Sequence, residues 1–310
     1  MNNDENSQNG GNTFDRDRAP RPHWTVCSAC HGEGKVSRRP TKRARLRYKR
    51  ALLAAEKENA SVQPTPPVAH VDDCAHCKGA GLEKSPAATP LNANSPSIAI
   101  IGGGLGGLAL AVACQHRGIP FTIYERDEHF DQRAQGYGLT MQQATKALEG
   151  FGISELQAGI TSTKHVVHRP DGTVVGEWGL RKWGRSAAKA SPRRRNVHIP
   201  RQSLRYELLQ ALGGHDRVQW SHRLVDIQER EGHVDLSFQV GNDASVKKVQ
   251  ADIVVGADGI RSSVRKQLIG DADSPLRYLD CMVILGICPV ENIDESALLD
   301  GETVFQTANG

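Results

Sequence analysis

Residues 98–126 constrain this chain more than any other stretch. Ile98-Ala-Ile-Ile101 is a short apolar run of the kind a buried parallel strand needs, and Gly102-Gly-Gly104-Leu105-Gly106-Gly107 follows it directly. Leu105–His116 is rich in Ala and Leu with apolar residues on most faces, as in a helix packed on a sheet, and Gly118 closes it. Ile119–Arg126 then reads as a second strand with Glu125 at its end. Strand, glycine turn, helix and strand in that order commit the chain to a βαβ unit. Gly102, Gly104 and Gly107 form GxGxxG at the strand-to-helix turn, where they allow a tight turn, close approach to a pyrophosphate and close helix–strand packing. The phosphates of a dinucleotide would meet the helix N-terminus, so Gly102, Gly104, Leu105, Gly106 and Gly107 are candidate contacts. Glu125 falls at the distance that suits ribose hydroxyls, with Arg126 beside it. A glycine turn alone is weak evidence, but here the strand, helix and acid all accompany it. The unit by itself does not separate FAD from NAD.

The 310 residues, 38% of them apolar and 24% charged, suffice for one large domain or two modest ones. No run of about 18 apolar residues offers a membrane span, and the first residues lack the apolar core of a signal peptide, so a cytoplasmic address is expected. Residues 1–97 hold 15 Lys+Arg against 10 Asp+Glu, so the basic excess is wholly N-terminal. Prolines also crowd there. The expected organisation is a disordered N-terminus over 1–22, a small cysteine module over 23–84, a Pro-rich linker over 85–96 and the dinucleotide domain over 97–310.

Four of the seven cysteines form two CxxCxGxG repeats, Cys27-Ser-Ala-Cys30-His-Gly-Glu-Gly34 and Cys74-Ala-His-Cys77-Lys-Gly-Ala-Gly81. Two thiolates three positions apart on a tight turn converge on one metal ion, and glycines supply the positive φ such a knuckle needs. Cys27, Cys30, Cys74 and Cys77 are therefore candidate ligands of one closed tetrahedral Zn2+ site. His31 and His76 are read as exposed or supporting, and Cys114, Cys281 and Cys288 as core filler. The repeats resemble the cysteine-rich zinc-binding domain of DnaJ-type co-chaperones. Two of that family's four repeats are present, without its His-Pro-Asp signature, which implies a metal staple rather than a co-chaperone. Between the knuckles, residues 38–50 carry eight Lys and Arg and no acid, followed by the helix-favouring Ala51–Asn59. Such a run is either a solvated helix face or a weak nucleic-acid or protein contact.

Three later motifs bear on the dinucleotide. Arg133-Ala-Gln-Gly136-Tyr-Gly138-Leu precedes a helix-like stretch Gln142–Phe151, and Arg201 opens a second helix running to Leu212. Val246–Val255 reads as a strand ending at Gly256-Ala257-Asp258-Gly259, and Arg261–Leu268 as a helix for which Asp258 can serve as a cap. A hairpin is expected from Lys164–His168, the turn Pro170-Asp-Gly172 and Thr173–Trp178, with further strands at Val218–Trp220 and His233–Val240. The cluster Arg193-Arg194-Arg195 is a loop, solvated or near an anionic cofactor.

Together these motifs resemble the p-hydroxybenzoate-hydroxylase-like, single-component FAD-dependent monooxygenases, whose DG motif matches Asp258-Gly259 with Ser262 and Arg265. The resemblance implies an α/β fold: a Rossmann-like (GR2-type) FAD-binding domain with an inserted β-sheet region, here preceded by the zinc-knuckle segment. It implies that Glu125 contacts the adenosine ribose and that Arg133 and Arg201 contact the pyrophosphate or ribityl region. Asp258 and Gly259 would lie near the pyrophosphate and the nicotinamide donor. It implies FAD as cofactor, NAD(P)H and O2 as co-substrates, and a small, often aromatic substrate; it names no side-chain acid, base or nucleophile. The family's further Gly-Asp motif lies well beyond the DG helix, so Gly270-Asp271-Ala272 reads as a loop decoy, Leu276–Val290 as only the start of the substrate-facing sheet, and the domain as incomplete at its C-terminus. Such a chain is expected to bind FAD weakly and to hydroxylate nothing. Two other readings stay open: an NAD-linked dehydrogenase, and a zinc-dependent interaction or nucleic-acid-binding module carrying a non-catalytic flavin domain.

Overall fold

Two periodicities decide the architecture, the alternation of β-strand side chains and the all-round apolarity of the helix after the glycine turn. A computed structural model describes residues 21–58, 62–133, 137–142, 144–179, 197–241, 245–273, 276–280, 282 and the strand 303–307. The Arg193–Arg195 cluster, Cys281, Cys288 and most of 276–290 lie outside these residues. In chain order the elements are β1 (His23–Val26), β2 (Lys35–Arg38), α1 (Lys42–Lys57), β3 (His70–Asp73), β4 (Leu82–Ser85), β5 (Ile98–Ile101), α2 (Leu105–His116) and β6 (Phe121–Tyr124). There follow β7 (Gly138–Met141), α3 (Ala144–Glu149), β8 (Ile160–Thr161), β9 (Lys164–His168), β10 (Val174–Trp178), β11 (Val197–Pro200) and α4 (Arg201–Leu212). The last are β12 (Val218–Gln219), β13 (His222–Arg230), β14 (His233–Val240), β15 (Val246–Ala251), β16 (Ile253–Gly256), α5 (Ser263–Asp273) and β17 (Thr303–Thr307).

Strand β5 is central in a four-stranded parallel sheet of order β12-β6-β5-β16. Because strand side chains alternate, Ile100 and Ile123 point to one face, where they pack with Leu108 and Val112 of α2 and Leu204, Leu208 and Leu209 of α4. Ala99, Ile101 and Tyr124 point to the other face, against Leu224, Leu236 and Phe238 of the antiparallel sheet β13-β14-β15. Tyr124 stacks on Phe238 with ring centroids 4.3 Å apart. Each such Ile, Leu or Phe contributes about 1.5–3 kcal/mol by leaving water. The sheet is thus buried on both sides, which explains why its strands read as apolar runs.

The expected single strand over Val246–Val255 is two strands. Val246–Ala251 pairs antiparallel with β14, whereas Ile253–Gly256 pairs parallel with β5. Asp252 makes the corner, its Oδ2 accepting from both the backbone N–H and the hydroxyl of Ser97 at 2.7 Å. The nine-residue β13 has no counterpart in the sequence reading, because His222–Arg230 is polar at most positions and only Leu224 among its apolar residues is buried. The hairpin β9–β10 forms as expected. Gly270 has φ 76 and ψ 161 and kinks α5, which runs on to Asp273, so Gly270-Asp271-Ala272 lies within a kinked helical element and not in the loop expected from the sequence.

The cysteine segment is two short antiparallel ladders, β1 with β4 and β2 with β3, with α1 inserted between β2 and β3. It rests on the C-terminal end of α2 and on the turn after α3. The Trp24 indole fills the space beside Gly152, and a Cβ there would lie 2.5 Å from it. Thr89 Oγ1 donates toward the carbonyls of Trp24 and His116, and Lys146 pairs with Asp73 at 3.3 Å. Arg21 forms an ion pair with the buried Glu207 of α4.

Candidate dinucleotide site and four-cysteine centre

The parallel pairing of β16 with β5 brings the DG turn against the glycine turn, although more than 150 residues separate them. Gly102 has φ +109, and a Cβ on it would lie 2.6 Å from the Ala257 carbonyl oxygen. Ala257 donates its N–H to Ile101 O at 2.7 Å. A Cβ on Gly107 would lie 1.9 Å from Gly102 O, so no side chain fits where α2 meets its own turn. Gly104 and Gly106 differ: a Cβ on either meets no protein atom within 4 Å. Their lack of side chains leaves open space over the N-terminus of α2, the cradle that a pyrophosphate approaching the free amides requires.

Glu125 is buried and holds this turn in place. Its Oε2 accepts the Gly103 N–H at 2.7 Å and its Oε1 the Asp127 N–H at 3.1 Å. An ionised carboxylate has further acceptor sites, so ribose hydroxyls remain within its chemistry. Sequence reasoning missed the residue that completes the grip. Arg205, on α4 and 2% exposed, donates from Nε to Gly103 O at 2.8 Å and from Nη1 to Phe130 O at 3.0 Å. Its guanidinium lies 4.7 Å from the centroid of the Phe130 ring. Burial pushes its pKa down, and the nearby Glu125, Asp127 and Asp131 oppose that shift. The Gly103 peptide is therefore clamped on both sides, N–H by an acid and C=O by a base. A cation four residues after Arg201, among Leu204, Leu208 and Leu209 of the same helix, was the signal available in the sequence.

Asp258 spends its carboxylate on α5, accepting from Ser262 Oγ at 2.6 Å, Ser263 N at 2.6 Å and Val264 N at 3.2 Å. This is the capping role expected of it, and Gly259 turns the chain with φ +79. Arg201 opens α4, with its guanidinium 5.4 Å from the Tyr137 ring centroid. Arg133 pairs with Asp127. Both Arg133 and Asp127 line a cavity of about 500 Å³ beside the end of β6, together with Arg126, Arg223, Gln239 and Arg261. The glycine turn does not line it. The side chains of Arg126, Arg223 and Arg261 have no hydrogen-bond or ion-pair partner among the described residues. These three cations outnumber the remaining acid of the lining, Glu128, and so favour an anionic occupant.

In the cysteine module, the four Sγ atoms lie within 4.8 Å of one another, with Cys27 to Cys74 at 4.0 Å and Cys30 to Cys77 at 3.7 Å. These separations exceed a disulfide bond. A tetrahedral metal with bonds of about 2.3 Å to sulfur requires S···S distances of about 3.8 Å. The two knuckles mirror each other: Gly34 N donates to Cys30 Sγ and Gly81 N to Cys77 Sγ, both at 3.2 Å. Cys27 N donates to Gly81 O and Cys74 N to Gly34 O, both at 2.8 Å. Backbone N–H groups, that of Cys77 foremost, lower the Cys74 thiol to about 7, while burial raises Cys30 to about 12. His31 is exposed, and His76 is exposed and paired with Glu83 at 2.9 Å.

Fold and site define a dinucleotide-binding α/β domain with the glycine turn, acidic strand end and DG turn gathered at the carboxyl ends of the parallel strands. The chain belongs to the FAD binding domain family, whose model matches residues 96–283. It is 30% identical over 190 residues to the FAD-dependent monooxygenase thnD of Trichoderma harzianum, covering 61% of this chain and 45% of that protein. It is also 30% identical over 226 residues to the FAD-dependent monooxygenase sor5 of Hypocrea jecorina, covering 69% and 44%. A solved structure, 2,6-dihydroxypyridine-3-hydroxylase from Arthrobacter nicotinovorans, is 25% identical, with TM-score 0.46 and coverage of 59% of this chain and 41% of that one. The chain thus spans under half the length of the curated relatives quoted. No helix among the described residues is long and apolar enough to cross a membrane.

Proposed function

We propose that this chain is the cofactor-holding part of an FAD-dependent monooxygenase that uses NAD(P)H and O2 to hydroxylate a small, aromatic substrate, and that it works in the cytoplasm. The observation that carries the reading is the convergence of Gly102–Gly107, Glu125 and the Asp258-Gly259 turn at the carboxyl ends of the parallel strands, in a chain of the FAD binding domain family. The amides of Gly104, Leu105, Gly106 and Gly107 would receive the pyrophosphate, Glu125 the ribose, and Asp258 and Gly259 the stretch beyond it. Arg126 offers positive charge beside Glu125, and Arg133 and Arg201 offer it to the pyrophosphate or ribityl region. FAD, when bound, supplies electron transfer and oxygen activation; the residues here hold it, fix its orientation and neutralise its phosphates.

The test is reconstitution of the purified chain with FAD, followed by anaerobic addition of NADH or NADPH. Weak flavin binding that saturates with added FAD, that ADP competes away and that the nicotinamide donor bleaches, is the expected outcome. A chain that retains NAD and no flavin would instead be an NAD-linked dehydrogenase. Hydroxylation of a phenolic substrate tests the remaining step, and FAD retention without any turnover would limit the chain to cofactor binding.

Cys27, Cys30, Cys74 and Cys77 are proposed to hold one structural Zn2+, a reading supported by sulfur spacings that suit a tetrahedral ion and by the twofold-like knuckle pairing. Four sulfurs close the coordination shell, so the ion organises the module and has no open position for chemistry. Metal analysis should return one zinc per chain, and a purified chain with no stoichiometric metal would remove the site.

A further inference from the structure

Helix α1 has no packing role that accounts for its sequence. None of its residues is buried, and only Ala44, Tyr48, Leu52 and Ala55, on one face, are even half-covered. Thr41 caps it, accepting the Ala44 N–H at 3.2 Å. Its first turn carries Lys42, Arg43 and Arg45 and no acid, so cations sit at the positive end of the helix dipole. Lys42–Arg45, Arg43–Arg47, Arg45–Lys49 and Arg47–Arg50 are like-charge neighbours at spacings of three or four, and each opposes the helix. Of the eight cations over 38–50, Arg38 alone has an acidic partner among the described residues, Asp72 at 2.7 Å. Self-repulsion held on an exposed helix is relieved by a polyanion from outside.

We propose that α1 is a docking arm for the phosphate backbone of a nucleic-acid duplex, held out between the two cysteine knuckles by the β2–β3 ladder. The six cations of Lys42–Arg50 spread over the arc opposite Ala44, Tyr48, Leu52 and Ala55, so they reach phosphates on both flanks of the helix. A helix about 10–12 Å across enters a major groove about 12 Å wide. Leu46 and Leu53, 49% and 50% exposed, lie inside the cationic arc rather than on a separate apolar face. That arrangement disfavours an anionic membrane, where the apolar and charged faces of a helix must separate. Unpaired cations crowd α1 and no Asn or Gln is there to read adenine, so the contact proposed is to phosphates, with arginine on guanine as the one base contact its side chains could add. The inference does not rest on the flavin reading.

Fluorescence anisotropy of the full chain with two labelled 24-base-pair duplexes of unrelated sequence tests it. Both should bind with affinities within about twofold, and log K should fall with log salt at a slope of about −5, as six phosphate contacts require. The triple variant R43A/R47A/R50A, which keeps helix propensity, should reduce the slope to about −3. R47E/R50E should abolish binding, whereas K247A/K248A on β15 should leave it unchanged. The proposal is overturned if the triple variant keeps the wild-type slope, if the chain ignores both duplexes at low salt, or if phosphatidylserine vesicles bind it more tightly than the duplexes do.

Discussion

Residues 23–85 and residues 97–273 are held together by different physics. In the first region the buried cluster is Cys27, Cys30 and Cys74 with Cys77 packed against it, and the strands around it leave most of their side chains exposed. In the second, a parallel sheet is covered on one face by α2 and α4 and on the other by an antiparallel meander. A region with so little apolar burial depends on a cross-link, whereas a two-faced sheet does not. The comparison teaches where each region should fail first.

The largest effect belongs to the sulfurs. Chelation, or Cys74→Ser, should unfold residues 23–85 while the sheet domain persists, since a structural zinc contributes on the order of 10 kcal/mol to such modules. Limited proteolysis with mass mapping should find new cuts only in that region. Cuts appearing equally across 97–273 would break the comparison and make the chain one cooperative unit, joined through Trp24, Thr89 and Arg21.

Next comes the turn. Gly107→Ala places a methyl 1.9 Å from Gly102 O and should cost about 3 kcal/mol or more of domain stability, with FAD binding lost. Thermal denaturation should show the sheet domain melting early with the fold of the cysteine module unchanged. Arg205→Met should be milder. Removing the charged donor to Gly103 O should weaken FAD about tenfold to a hundredfold, measured by calorimetric titration. Unaltered affinity would show that Glu125 alone suffices to set the turn.

Asp258→Ala removes the acceptor for Ser263 N and Val264 N and should cost about 1 kcal/mol, read as a lower midpoint in urea. The smallest effect sharpens the contact between the regions. Burial pushes the His116 pKa below its ordinary 6.5, against the backbone carbonyls of Phe151 and Trp24, which raise it, so the unfolded chain takes up a proton the folded chain refuses. Stability should therefore fall as pH drops below about 6.5 and level off once the folded pKa is passed. His116→Asn should flatten that part of the pH profile, and an unchanged slope would assign it to another group.

Local chemistry made much of this legible. Ile98–Ile101, the glycine turn, α2 and the CxxCxGxG repeats could be read because each is specified by residues adjacent in sequence: apolar runs, obligatory glycines, paired thiols. The β13 strand could not, because its polar residues are stabilised by pairing with β14 rather than by their own pattern. Nor could the corner at Asp252, which exists because residues on either side of it pair with different sheets.

The same division runs through the site. The sequence by itself determined that a glycine turn would join the first buried strand to its helix, that Asp258 would cap a helix, and that four cysteines would share a centre. Only the tertiary structure placed Ala257 against Gly102, set Arg205 and Glu125 on opposite sides of the Gly103 peptide, and gathered Arg126, Arg223 and Arg261 around one cavity. Those contacts join residues from about 20 to more than 150 positions apart. Parallel pairing and helix packing bring them together, and no sequence period records such long-range neighbours.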